Sequence, residues 1–133
     1  MSQENVELVR SCSEAYVAGD IDGYLEFMAE DVEVRPDASL PDAKPFRGRQ
    51  EFKSFLTALD QGWEGRGRAG IREVLPVGDR VVAQGDWGGK GRASGIDLRS
   101  NLTAIYTIRD GRITRVEYFL DHAEALEAAG LLE

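Results

Sequence analysis

Apolar residues recur every second position in the latter half of the chain and every third or fourth position in the earlier half. From Arg80 to Leu120 this reads as three long antiparallel strands. Asp110-Gly111 falls between Leu102–Ile108 and Arg112–Leu120. Asp-Gly between two β-rich runs signals a hairpin, because a type I′ turn needs positive φ at both central residues. Gly78-Asp79 is a second candidate turn, joining Ile71–Val77 to the strand that begins near Arg80. Strands are placed at about 70–77, 80–88, 96–109 and 112–120, with the glycine-rich run 88–95 as a flexible hairpin end.

Helices precede them. Ser2 suits an N-cap and Glu4 the first turn of a helix from about Gln3 to Ala18, with Val6, Val9, Cys12 or Ser13, and Tyr16 on one face. Gly19 suits the position just past that helix, and Asp20 caps the next, whose apolar face is Ile21, Tyr24, Leu25 and Met28. Val32 and Val34 alternate with Glu33 and Arg35, which predicts a short strand. Pro36, Pro41 and Pro45 then enforce an irregular loop, of a length often used as a functional segment or lid. Gly48 opens a third helix, in which Phe52, Phe55, Leu56, Leu59 and Trp63 keep helical spacing. A last helix runs from Asp121 to Gly130.

With 133 residues, one domain with a proper core or an internal pocket is expected. The net charge of −8 is poorly matched to a phosphate backbone or an anionic membrane, so neither nucleic acid nor a lipid surface is an expected partner. One cysteine and one histidine exclude an intrachain disulfide, the usual zinc constellations and histidine-based nucleophilic triads. No metal and no cofactor are expected. The N-terminus has neither a basic region nor an apolar segment, and no run of about eighteen apolar residues could span a membrane. A soluble, cytoplasmic protein is the expectation.

Short motifs add little. Gly65-Arg-Gly-Arg-Ala-Gly70 has the letters of a dinucleotide fingerprint, but a helix precedes it and a strand follows, the reverse of what that site needs. Gly89-Lys90 is followed by Gly, so it is no phosphate loop. Asp121-His-Ala-Glu124 invites a catalytic reading of His122, whereas a capping box would leave His122 as an exposed first-turn residue.

Strand alternation selects the candidate interior. Ile96, Leu98, Leu102, Ala104, Tyr106 and Ile108 form an apolar series that should face the helices; Asp97, Arg99, Asn101, Thr103 and Thr107 form the polar one, with Ile105 among them. Tyr106 then points inward, either as a site hydroxyl or as a satisfied core tyrosine. In the preceding strand, either Val81, Ala83 and Trp87 or Val82, Gln84 and Asp86 face in. Glu117 is a candidate inward carboxylate, the competing reading being an ion pair with Arg115 or Arg99; a bulge near Thr114 would change the register.

The motifs Ala18-Gly-Asp-Ile-Asp22, Glu30-Asp-Val32, Phe46-Arg-Gly-Arg49 and Asp110-Gly-Arg-Ile113, in that order, resemble the SnoaL-like branch of the nuclear transport factor 2-like superfamily over essentially the whole chain. The resemblance implies an α+β fold. A strongly curved, mainly antiparallel sheet would wrap three N-terminal helices as a cone with an internal cavity, with a short C-terminal helix. It also implies a homodimer through the sheet face, here one carrying Arg99, Asn101, Thr103 and Ile105. Relatives include cyclases, isomerases, dehydratases and hydrolases as well as binding domains, so the fold does not fix an activity.

Aligned on Ala18-Gly-Asp20, the helix-one tyrosine of the steroid isomerases falls on Cys12, their base on Pro36 beside Asp37, and their protonated aspartate near Ala104. Cys12 with Ala104 cannot supply their oxyanion hole, and the steroid reaction is not expected. A substitute set remains. Asp37 would be the general base if the proline loop turns it into apolar surroundings, with Tyr16 and Tyr106 donating to an enolate. Val9, Cys12, Phe55, Leu59, Trp63, Trp87, Leu102 and Ala104 would line the pocket. Three readings follow: a cofactor-free isomerase, cyclase or dehydratase for a small apolar carbonyl compound; a binding protein that takes up an apolar ligand without chemistry; and a dimerisation domain with a collapsed pocket.

Overall fold

The structure, a computed structural model, describes residues 2–37, 44–61, 63–64, 68–91 and 97–131. Side chains are described throughout these except at 2, 59–61, 63–64, 68–70, 87–91 and 97–100. The elements in order are α1 (Ser2–Val17), α2 (Ile21–Glu26), β1 (Met28–Arg35), β2 (Phe46–Arg47), α3 (Arg49–Gln61), β3 (Trp63–Glu64), β4 (Arg68–Val77), β5 (Arg80–Gly91), β6 (Asp97–Arg109), β7 (Arg112–Phe119) and α4 (His122–Ala128).

The helical corner forms as its glycine and aspartate dictate. Gly19 adopts φ 84°, which lets its N–H reach the Tyr16 carbonyl and the Asp20 N–H the Ala15 carbonyl, closing α1 in a Schellman motif. Asp20 then accepts a 2.9 Å hydrogen bond from the Gly23 N–H at the start of α2. Helix α2 is shorter than its apolar spacing suggested: Met28 belongs to β1, paired with Ile113 across the sheet. Trp63 likewise leaves the helical series and lies in β3.

The sheet runs β2-β1-β7-β6-β5-β3, with β4 also on β5. All pairs are antiparallel except β1 with β7, which is parallel. The β6–β7 hairpin turns on Asp110 (φ 53°) and Gly111 (φ 74°), both positive as a type I′ turn requires. Register shifts interrupt β1, β4 and the β6–β7 pair, the last opposing Thr107–Ile108 to Ile113–Arg115. Such bulges bend a sheet and let it wrap the helices.

The two faces are distinct. On the inner one, Val34, Val81, Ala83, Ala104, Tyr106, Ile108, Ile113 and Val116 form one buried cluster with Val9 and Cys12 of α1, Tyr24 and Leu25 of α2, and Phe52 and Leu56 of α3. This resolves β5: Val81 and Ala83 face in. Each such fully buried aliphatic or aromatic side chain contributes roughly 1.5–3 kcal/mol.

On the outer face, Val82 and Ile105 pack under α4 with Ala129 and Leu126, which explains the apolar residue within the polar series of β6. Asp121 caps α4 by accepting from the Glu124 N–H, and Arg80 donates to the carbonyls of Ala128 and Ala129 at its other end. His122 is not a free first-turn residue: its Nδ1 lies 2.9 Å from Oγ1 of Thr103, which is 1% exposed. Thr103 and Ile105, two of the residues expected at a dimer face, are thus already covered by the chain's own C-terminal helix.

Beyond α4 the outer face is ionic. Glu33 meets Arg35 at 2.6 Å, Arg47 at 3.1 Å and Arg115 at 3.8 Å, and Arg115 also lies 3.6 Å from Glu117. The hydrogen bond from Arg35, reinforced by the neighbouring guanidinium charges, holds the Glu33 carboxyl below its ordinary value. A carboxyl so lowered stabilises the fold above its unfolded pKa and loses that contribution as pH falls through the folded one. Stability should therefore decline below about pH 4.5, the ordinary value. Glu33→Gln should cost about 1 kcal/mol or less at neutral pH and nothing in acid. Denaturant melts at both pH values check this, and an equal cost at both would contradict it.

Candidate functional site

The chain has four tyrosines, and all of them meet inside the curled sheet. Tyr16 comes from α1, Tyr24 from α2, Tyr106 from β6 and Tyr118 from β7. Tyr106 and Tyr118 project from one face because Ala104, two residues before Tyr106, pairs with Tyr118 across the strands. Tyr24 reaches them from the helical side. Its hydroxyl lies 3.4 Å from that of Tyr106 and 3.3 Å from that of Tyr118, and either oxygen of each pair can donate. The Tyr16 ring packs on Tyr24 at 5.3 Å between centroids. Phe52 stands edge-on to Tyr24 at 5.7 Å, and Phe46 in turn stands edge-on to Phe52 and lies tilted against Phe55 at 5.1 Å, so aromatic rings back Tyr24 on the helical side.

Removal from water governs the chemistry of these groups. Burial, then the neighbouring phenols, pushes Tyr24 well above its ordinary value. Burial likewise raises Tyr106 and Tyr118 and lifts the Cys12 thiol to about 12. All four stay protonated near neutral pH. The phenols are donors rather than bases, and Cys12 is no nucleophile.

Asp37 is the buried carboxylic acid of the described residues, 8% exposed. It follows the end of β1, and its Oδ2 accepts a 2.7 Å hydrogen bond from the Leu120 N–H, two residues beyond Tyr118. The parallel β1–β7 pairing sets this position, since Arg35 opposite Glu117 brings the two strand ends together.

Val9, Cys12, Ala104 and Tyr106 are buried in the inner cluster, and Tyr16 and Phe55 pack against it. Leu102 is half-buried on the face of Ala104 and Tyr106. The side chains of Leu59, Trp63 and Trp87 lie outside those described. Glu117 is corrected. It pairs with Ile105 and Arg35 on the outer face and meets Arg115, because the bulge at Thr114 puts Val116 and Tyr118 inside. Tyr24 and Tyr118 were not among the residues expected at the site. Tyr24 stood in a helical apolar stripe and Tyr118 in an apolar strand series, patterns that mark core without marking a hydroxyl cluster.

No group of three or more histidine, cysteine or carboxylate side chains among the described residues could hold a metal ion. No described helix is long and apolar enough to cross a membrane.

Known proteins of the same shape are numerous. TerC, crystallised with polyporic acid, superposes with a TM-score of 0.76 and 26% identity over 96% of this chain and 98% of that one. A candidate polyketide cyclase from Xanthomonas campestris pv. campestris gives 0.70 and 26% over 96% and 98%. A nuclear transport factor 2-like protein of unknown function from Burkholderia pseudomallei gives 0.77 and 22% over 93% and 95%, a likeness of fold. No curated protein matches in sequence. The model of the SnoaL-like domain matches residues 9–116, most of the chain, from within α1 to within β7. By that match and this architecture, the chain belongs to the SnoaL-like family.

Proposed function

We propose that the chain is a cofactor-free acid–base enzyme, an isomerase, cyclase or dehydratase acting on a small, mostly apolar carbonyl compound. One observation carries the reading: a buried carboxyl group, Asp37, is tied to the Leu120 N–H, two residues along the chain from Tyr118 of the phenol cluster, whose hydroxyls stay protonated. Base and donors of opposite character, both withdrawn from water, are what proton abstraction beside a carbonyl needs. Asp37 takes the proton from the carbon next to the carbonyl. The C–H electron pair becomes the new C=C bond, the carbonyl π pair moves to oxygen, and Tyr16 and Tyr106 donate hydrogen bonds to that oxygen. Return of the proton to another carbon gives isomerisation; attack of the enolate on a second carbonyl gives cyclisation. Two relatives 26% identical to this chain fit the reading, one crystallised with polyporic acid and one a candidate polyketide cyclase.

The test is hydrogen–deuterium exchange. Indanone and tetralone incubated with the protein in deuterium oxide should lose their α-proton resonances faster than in buffer. Thermal stabilisation by both ketones with no exchange above buffer would overturn the enzymatic reading and leave a binding protein.

A further inference from the structure

We propose that Thr103, acting through His122, is a positioning residue for Asp37. From the outer face of the sheet it fixes the backbone N–H that aims the buried carboxyl group. The proposal rests on Asp37 being the base of the reaction proposed above, and adds the device that sets its geometry.

The route runs through Leu120. Asp37 lies just past the end of β1, and its Oδ2 accepts a 2.7 Å hydrogen bond from the Leu120 N–H. Leu120 stands between Phe119, the last residue of β7, and Asp121, the N-cap of α4. The backbone there has two soft dihedral angles per residue, so the direction of that N–H depends on what holds the chain on either side. One residue holds both sides. Thr103 pairs with Phe119 across the β6–β7 ladder, and its Oγ1 lies 2.9 Å from Nδ1 of His122. Only Leu120 and Asp121 span the interval between these two fixed points.

The anchor itself is firm. Thr103 is 1% exposed, and a β-branched side chain in a strand is stiff about χ1. Beyond His122, α4 is held by Leu126 and Ala129 against Val82 and Ile105, and by Arg80 on the carbonyls of Ala128 and Ala129. Apart from the tyrosines, Asp37 and Thr103 are the buried polar side chains of the described residues, and Leu120 lies between their two bonds. A buried hydroxyl is costly unless bonded, and valine would fill the same space, so the bond to His122 is what threonine supplies. A general base needs such fixing, because misplacing a reacting group by about 1 Å can cost roughly a hundredfold in rate.

The Leu120 amide reports the effect directly. In nitrogen-15 NMR spectra its proton should lie at low field and resist solvent exchange, as its 2.7 Å bond dictates. Asp37→Ala gives the position of the same amide without that acceptor. Thr103→Val keeps the pairing with Phe119 but removes the hydroxyl. It should move the Leu120 resonance towards the Asp37→Ala position and speed its exchange about tenfold, the worth of one net hydrogen bond. With indanone in deuterium oxide, kcat for α-exchange should fall roughly 10–100-fold while KM stays unchanged. Thr103→Ser should restore both readings. His122→Ala should reproduce the loss, and at its half-buried position it serves if Thr103→Val does not fold. Exchange by the unaltered protein that neither Thr103→Val nor His122→Ala slows would overturn the positioning role alone. A slower variant with an unmoved Leu120 resonance, or a loss that Thr103→Ser does not repair, would do the same. No exchange above buffer by the unaltered protein would overturn Asp37 as the base, and the positioning role with it.

Discussion

Replacing Asp37 by asparagine should slow α-proton exchange by roughly 10²–10⁴-fold, the usual contribution of a positioned general base. The melting temperature should stay nearly where it is. The amide oxygen can still accept the 2.7 Å hydrogen bond from the Leu120 N–H, so the tie between the ends of β1 and β7 is kept. What is lost is a basic oxygen. Asp37→Ala separates the two roles further, since it also strips Leu120 of its acceptor and should cost an additional ~1–3 kcal/mol of stability. Exchange rates and melts of both variants decide the matter. Undiminished exchange by the asparagine variant would remove Asp37 from the mechanism and leave it a structural tie.

The largest loss of stability should come from Phe52→Ala. Phe52 is fully buried and stands edge-on to both Tyr24 at 5.7 Å and Phe46 at 6.1 Å, where α3 meets the inner face. Truncation of a buried phenylalanine typically costs 3–5 kcal/mol, from lost transfer energy and the cavity left behind. Against a total of about 5–15 kcal/mol for a domain, that is enough to unfold a marginal one. Chemical denaturation measures it. A cost below about 1 kcal/mol would show that α3 is not anchored through this residue.

Turns and faces were legible in the sequence wherever a single residue type forces the geometry. Asp110-Gly111 adopts the two positive φ angles its hairpin needs, and Gly19 closes α1 as a residue beyond a helix end does. The alternation of Leu102, Ala104, Tyr106 and Ile108 assigns the inner face of β6 because a strand offers only two directions. Where local pattern and tertiary pairing compete, pairing wins. Met28 keeps helical spacing with Ile21, Tyr24 and Leu25 yet joins β1, because Ile113 lies across the sheet to receive it. Glu117 could not be placed from its strand alone, since one extra residue at Thr114 inverts the phase of all that follows. The site was legible only in half. Tyr106 faces inward by simple alternation, but no local pattern joins Tyr24 to Tyr118, 94 residues apart. Their meeting is a property of how the sheet closes.

The parallel pairing of β1 with β7 has a consequence for how the molecule is made. Arg35 lies against Glu117, and the Asp37–Leu120 bond spans 83 residues, so the first strand, with β2 on one side, waits on the last for its other neighbour. During synthesis, the side of β1 that meets β7 stays unpaired until nearly the whole chain has followed. Long-range pairings of this kind pay loop-closure entropy before they return any contact energy, which slows folding. Nascent chains ending before Arg112 would lack both β7 and Tyr118, and a ligand of the phenol cluster would stabilise only molecules that had completed the closure.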